Sequence, residues 1–110
     1  QDVVGNDITS TTTISGSSNQ VTKSLLSTNG SSTLSITGSS NIVNAQQIDT
    51  AGANGHVLVN SITGDFNSIT TQQQGTNDTT VNIATSGDHN TITVRSSSTA
   101  IVSPATAIAR

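Results

Sequence analysis

The turn Gly-x-x-Asn occurs four times in this chain, as Gly16-Ser-Ser-Asn19, Gly38-Ser-Ser-Asn41, Gly64-Asp-Phe-Asn67 and Gly87-Asp-His-Asn90. Ile14, Ile36 and Ile62 stand two places before the first three glycines, and Val21, Val43, Ile69 and Ile92 two places after the asparagines. The glycines recur at steps of 22, 26 and 23 residues. A β-prone run on each side of a turn, repeated at that distance, is one coil of a stacked structure, because a single coil cannot bury its own apolar face. The spacing predicts an all-β fold, a β-solenoid or cross-β stack of about four strand-turn-strand coils of 22–26 residues. Such a stack has open ends, and further copies are expected to add to them end to end.

Period-2 alternation runs along both arms of each unit, as in Ser32-x-Leu34-x-Ile36 and Asn77-x-Thr79-x-Val81-x-Ile83-x-Thr85. The expected apolar columns are Val21, Val43, Ile69 and Ile92 on one arm, and Leu34, Leu58 and Val81 on the other, with Ile14, Ile36, Ile62 and Ile83 also inside. The corner glycines Gly16, Gly38, Gly64 and Gly87 admit positive φ and close backbone approach. Asn19, Asn41, Asn67 and Asn90 can each bond to the same residue one coil away, forming a polar ladder. Gln47, Gln73, Asn54 and Asn77 are expected to stack in the same way. Turn lengths vary on the far side, near Asn29, 51–54 and 75–77, so register there is less tightly specified than at the corners. The boundaries read as an extension over 1–7, repeats over 8–98, and a tail or partial strand over 99–110, to which Ile101 and Val102 could contribute.

Composition says how such a stack must be held together. Thr, Ser, Asn and Gln fill 56 of 110 positions; Phe66 is the only aromatic and Pro104 the only proline. This leaves too few large side chains for an ordinary globular core. Charged residues are only 8% of the chain, which does not suit a disordered segment, so order must come from backbone ladders and stacked polar groups. Apolar burial alone falls short of the ordering cost, so an isolated monomer is expected to be marginal. Net charge is −3, with Lys23, Arg95 and Arg110 as the only Lys or Arg, which argues against a nucleic-acid partner. No stretch approaches 18 apolar residues, so no helical membrane insertion is expected. The chain begins Gln1-Asp2-Val3, which suits a mature protein after signal removal and equally an arbitrary boundary.

The stretch Asn67-Ser-Ile-Thr-Thr-Gln-Gln73, with Gly75-Thr-Asn77, Val81-Asn-Ile83 and Gly87-Asp-His-Asn90, resembles the curlin repeat. Members of that family are subunits of curli, extracellular amyloid fibres of bacterial biofilms. Asn41 and Asn67 match the asparagine that opens a repeat strand, Gln47 and Gln73 the glutamine that follows, and Asn77 lies near the start of the other arm. The resemblance spans about Ile8 to Ser96. It implies secretion, self-templated growth, a homopolymer, a nucleating subunit and secretion machinery of the curli type, and a role in matrix and adhesion. The chain departs from the family pattern at Ser15, Thr37 and Thr63, where a glutamine is expected before the corner. It departs again at Lys23 and Leu25, which replace Ala45 and Gln47 of the next unit. Inward alternation would bury the Lys23 ammonium, so a bulge or outward turn is expected there.

No catalytic arrangement and no cofactor are expected. His56 and His89 lack metal-ligand spacing, and there is no cysteine. Asp65 and Asp88 share a corner position; a charged corner that limits sideways association is the plainer reading beside weak cation binding. Phe66 reads as exposed, and His89 as a solvent-facing turn residue. The sequons Asn29-Gly-Ser31 and Asn77-Asp-Thr79 carry little weight in so Ser/Thr-rich a chain. Two other readings stay open. One is a monomeric solenoid that binds ice or carbohydrate, although the row Thr70-Thr71 and Thr91-Ile-Thr93 is broken by Gln20-Val-Thr22 and Ile42-Val-Asn44. The other is a segment of a larger adhesin or fibre.

Overall fold

The computed structural model describes residues 1–49, 55–75, 78–98 and 105–109. It is a β-solenoid. The strands are β1 (Asp2–Asn6), β2 (Thr9–Ser15), β3 (Gln20–Thr28), β4 (Ser31–Thr37), β5 (Ile42–Asp49), β6 (Val57–Thr63), β7 (Ser68–Gly75), β8 (Thr80–Ser86), β9 (Thr91–Ser98) and β10 (Ala105–Ala109). Odd strands form sheet A in the order β1-β3-β5-β7-β9, and even strands form sheet B in the order β10-β8-β6-β4-β2. All eight ladders are parallel. Four complete coils result: β2 with β3, β4 with β5, β6 with β7, and β8 with β9. The extents of 38 × 24 × 13 Å fit the length of an arm, the height of the stack and the thickness of two facing sheets.

Each corner turns the chain from sheet B to sheet A in the same way. Gly16, Gly38, Gly64 and Gly87 have φ of 130°, 139°, 128° and 111°, and Ser18, Ser40, Phe66 and His89 are left-handed near 57–60°. A Cβ on Gly16, Gly38 or Gly64 would lie 1.9–2.2 Å from the carbonyl oxygen of the next corner glycine, so no larger residue fits the stack. The backbone continues the ladder through the turn, with Gly38, Gly64 and Gly87 N–H donating to Ser15, Thr37 and Thr63 carbonyls.

Alternate residues face the interior. Leu34, Ile36, Val43, Ala45, Leu58, Ile62, Ile69, Val81 and Ile83 form one buried cluster, with Val21, Ile92 and Val94 packed partly buried against it. On sheet A the register stacks Val21, Val43, Ile69 and Ile92. On sheet B the expected Leu34–Leu58–Val81 column is not formed. Leu34 stacks on Asn60 and Ile83, while Ser32 stacks on Leu58 and Val81. The corner sets the register: Leu34, Asn60 and Ile83 each stand four places before a corner glycine, and the longer second step is taken up in the far turn. Ile14 shares a column with Ile36 and Ile62 but is 45% exposed. It lies on the outermost strand of sheet B, and β1 shields β3 only from Ser24 to Thr28.

The stretch 1–7, expected to lie outside the repeats, contains β1, and the stretch 99–110 contains β10. Ile101, Val102 and Pro104 lie outside the described residues, as do Asn54 and Asn77 of the expected polar ladder.

Candidate assembly interface

The corner asparagines form a continuous amide column. Asn41 N–H and Nδ2 donate to Asn19 Oδ1 at 3.0 and 3.1 Å. Asn67 repeats this to Asn41 at 2.9 and 3.0 Å, and Asn90 to Asn67 at 2.9 and 3.1 Å. The second Nδ2 hydrogen of Asn19 and Asn41 reaches the carbonyl of Gly38 and Gly64, at 2.8 and 2.9 Å. Asn41 and Asn67 are buried, and each amide is hydrogen-bonded to the coils on both sides of it. A second interior ladder joins Gln47 Nε2 to Gln73 Oε1 at 2.8 Å, and Gln73 Nε2 continues to the Val57 and Thr79 carbonyls. On the outer face of sheet A, Gln72 Nε2 donates to Gln46 Oε1 at 3.1 Å.

The corner aspartates are part of the same stack. Asp65 Oδ1 accepts the Ser39 N–H at 2.6 Å, and Asp88 Oδ1 accepts the Asp65 N–H at 2.7 Å. Each carboxylate thus binds backbone one coil down, which offsets repulsion between them. Phe66, 57% exposed, stacks on His89 with centroids 5.1 Å apart. His56 is fully buried on the far side, its Nδ1 2.9 Å from Thr79 Oγ1.

Lys23 corrects an expectation. There is no bulge at this position: β3 runs unbroken through it, with Lys23 in register with Ala45, and the side chain is buried in the first coil. Its Nζ donates to Ser10 Oγ at 2.9 Å, Thr12 Oγ1 at 3.3 Å, and the Thr11 and Ser32 carbonyls at 3.4 and 3.3 Å. The first arm of sheet B carries Ser10 and Thr12 at inward positions, so the first coil encloses a polar cage where the second coil has Leu34 and Ala45. Burial lowers the Lys23 pKa below the ordinary lysine value. Sequence reading missed the cage because it treated each arm alone; the signal was the pair Ser10 and Thr12, on the inward phase of the strand facing Lys23.

The ends of the stack differ from its middle. Among the described residues sheet A ends in β1 and β9, and sheet B in β2 and β10, so each terminal strand has one edge that no described strand pairs. Val3, Val4 and Ile14, on β1 and β2, are 42%, 54% and 45% exposed. The outer face of sheet B carries Thr9, Thr11, Thr13, Ser31, Thr33, Ser35, Val57, Val59, Ser61 and their neighbours, and the described strands β2, β4, β6 and β8 place no charged residue on it. Sheet A holds a shallow outer groove of about 240 Å³ beside Asn44, Gln46, Thr70, Gln72 and Arg95. Among the described residues no group of three or more His, Cys, Asp or Glu could hold a metal ion, and no helix is long and apolar enough to cross a membrane. No protein-family model, curated protein or solved structure matches this chain. The arrangement is a β-solenoid able to stack on further copies at either end.

Proposed function

We propose that this chain is the structural subunit of a self-assembling extracellular fibre of the curli type, contributing to biofilm matrix, adhesion and surface attachment. The observation that carries this reading is the pair of open ends. Parallel ladders, amide columns and identical corners run through the molecule in register, and no described segment closes over either terminal edge. An edge of this kind is a template for another strand of the same sequence pattern. The role is structural and not catalytic. Secretion, a nucleating subunit and dedicated export machinery belong to the proposal through the resemblance of residues 8–96 to the curlin repeat.

Dilution of denatured, purified chain into buffer tests it. Thioflavin fluorescence should rise after a lag that preformed seeds abolish, and negative-stain images should show long thin fibres. A soluble β-rich species that forms no polymer at high micromolar concentration would sink the proposal. It would move the weight to a monomeric solenoid binding a regular surface. One observation favours that second reading: the outer face of sheet B, rich in Ser and Thr, which has no charge on β2, β4, β6 or β8.

A further inference from the structure

The two sheets do not end level. At one end β1 extends sheet A beyond the coil of β2 and β3, and no described strand of sheet B faces it. At the other end β10 extends sheet B beyond the coil of β8 and β9, and no described strand of sheet A continues past β9. Each end is half a coil, and the halves belong to opposite sheets. Moving a second copy along the axis by five strand spacings, about 24 Å, places its β1 on β9 and its β2 on β10. Both sheets then pass through the junction with no unpaired edge. β10 of one copy and β1 of the next stand at the same level.

Register decides which side chains meet. Asp2, Ser24, Gln46, Gln72 and Arg95 form one column on the outer face of sheet A. The Gln46–Gln72 amide bond shows that neighbours in this column touch. The column carries an anion at one end and a cation at the other, both exposed. With Lys23 buried, Arg95 is the one exposed Lys or Arg among the described residues. The same translation that continues the ladder sets the second copy's Asp2 one strand spacing from Arg95. It also covers the strands that carry Val3, Val4 and Ile14.

We propose that copies join head to tail through a shared coil, made of β10 from one chain and β1 from the next, with Arg95 of the first paired to Asp2 of the second. This inference rests on the fibre reading above, which leaves the junction unspecified. It gives the fibre a repeat of five coils per chain, four complete and one composite.

Charge exchange tests the junction. Asp2→Arg and Arg95→Asp each place like charges at every junction, and seeded elongation at low salt should fall about three- to tenfold in each. An equimolar mixture of the two variants should recover, because alternating chains present opposite charges at each contact. The double variant should recover as well, and the differences should shrink in 1 M salt. Singles that elongate like the wild type, or a mixture no faster than its components, would overturn the junction while wild-type fibres leave the fibre reading intact. Wild-type chain that forms no fibre would overturn both. A second measurement uses Asp2→Cys with Arg95→Cys. Within one chain these positions are four strand spacings apart, about 19 Å, too far for a disulfide, whereas across the junction they are adjacent. Oxidised fibres, once denatured, should give a ladder of covalent oligomers; monomer alone would overturn the proposal.

Discussion

The two turns of each coil hold the stack by different means. At the corner, four turns of the pattern Gly-x-x-Asn adopt one conformation and bond to each other through Asn amides and glycine carbonyls. On the far side two, seven and four residues separate β3 from β4, β5 from β6 and β7 from β8, where four residues span every corner. The residues that pair across coils there are not alike: Gly30 is followed by His56 and then Thr79. Yet the strands on either side of the longer step keep their alignment, Ile42 opposite Ser68 and Ile36 opposite Ile62. Register is therefore set at one turn and merely accommodated at the other. A stack needs one strict corner, and variation is tolerated wherever the ladder does not pass through side chains that must match.

The strongest way to break this contrast is Gly38→Ala beside Gly30→Ala. The first adds a Cβ 2.0 Å from the Gly64 carbonyl oxygen at φ 139°. It should cost upwards of about 4 kcal/mol and abolish folding and seeded growth. The second meets Ser27 side-chain atoms at 2.5 and 2.9 Å, with no left-handed φ to oppose it. It should cost about 1–2 kcal/mol, with circular dichroism after seeding retained. Gly38→Ala growing normally would mean the corner is not the register device.

Next in size is Asn67→Ala, which leaves the Asn90 N–H and Nδ2 without their acceptor and takes one of the two donors from Asn41 Oδ1. A loss of about 2–4 kcal/mol is expected, read as a rise in the concentration of chain left unpolymerised. Gln73→Ala on the far side should cost less, about 1–2 kcal/mol, because Gln47 keeps its bond to the Ser31 carbonyl. Equal losses would remove the distinction between the two sides.

Between the turns, Lys23 reports on the interior of the first coil through pH. Its lowered pKa means that the folded state holds the proton more weakly than the unfolded chain does. Stability should rise as pH climbs from that lowered value to the ordinary lysine value near 10.4, and be flat above it. Urea titrations across that window should show the rise in the wild type and its absence in Lys23→Met. The smallest effect belongs to the far turn itself. Two Gly-Ser residues inserted between Asp49 and Gly55 should cost less than about 1 kcal/mol, whereas the same insertion between Gly38 and Asn41 should prevent growth.

The corner was legible because its chemistry is local: glycine at positive φ, asparagine three residues beyond it, and a β-prone residue on either side. Those features specify the Val21–Val43–Ile69–Ile92 column and the Asn19–Asn41–Asn67–Asn90 ladder, both of which the structure contains. What depended on pairing between arms was harder to read. Leu58 is expected over Leu34 if like residues stack, whereas counting back from the corner glycines puts Asn60 there. Asn60 is buried with neither amide atom hydrogen-bonded among the described residues, a polar interruption that alternation alone could not rank against its apolar neighbours. The Lys23 cage needed the facing strand as well. β1 was read as an extension outside the repeats, because a half-coil carries no corner motif to announce it, whereas β10 lies in the stretch read as a tail or partial strand.

The amide column has one further property. In a β-sheet the peptide dipoles alternate from one side of each strand to the other and nearly cancel along the stack. The corner side chains do not alternate. Every amide-to-amide bond from Asn41 to Asn90 runs from Nδ2 to Oδ1 toward the same end, while the second Nδ2 hydrogen of Asn41 reaches the Gly64 carbonyl the other way; hydrogen bonds aligned in a chain polarise one another. The long axis of the protein therefore has a sign that its backbone alone would scarcely give it, and a copy inverted on that axis would meet the column with its dipoles opposed.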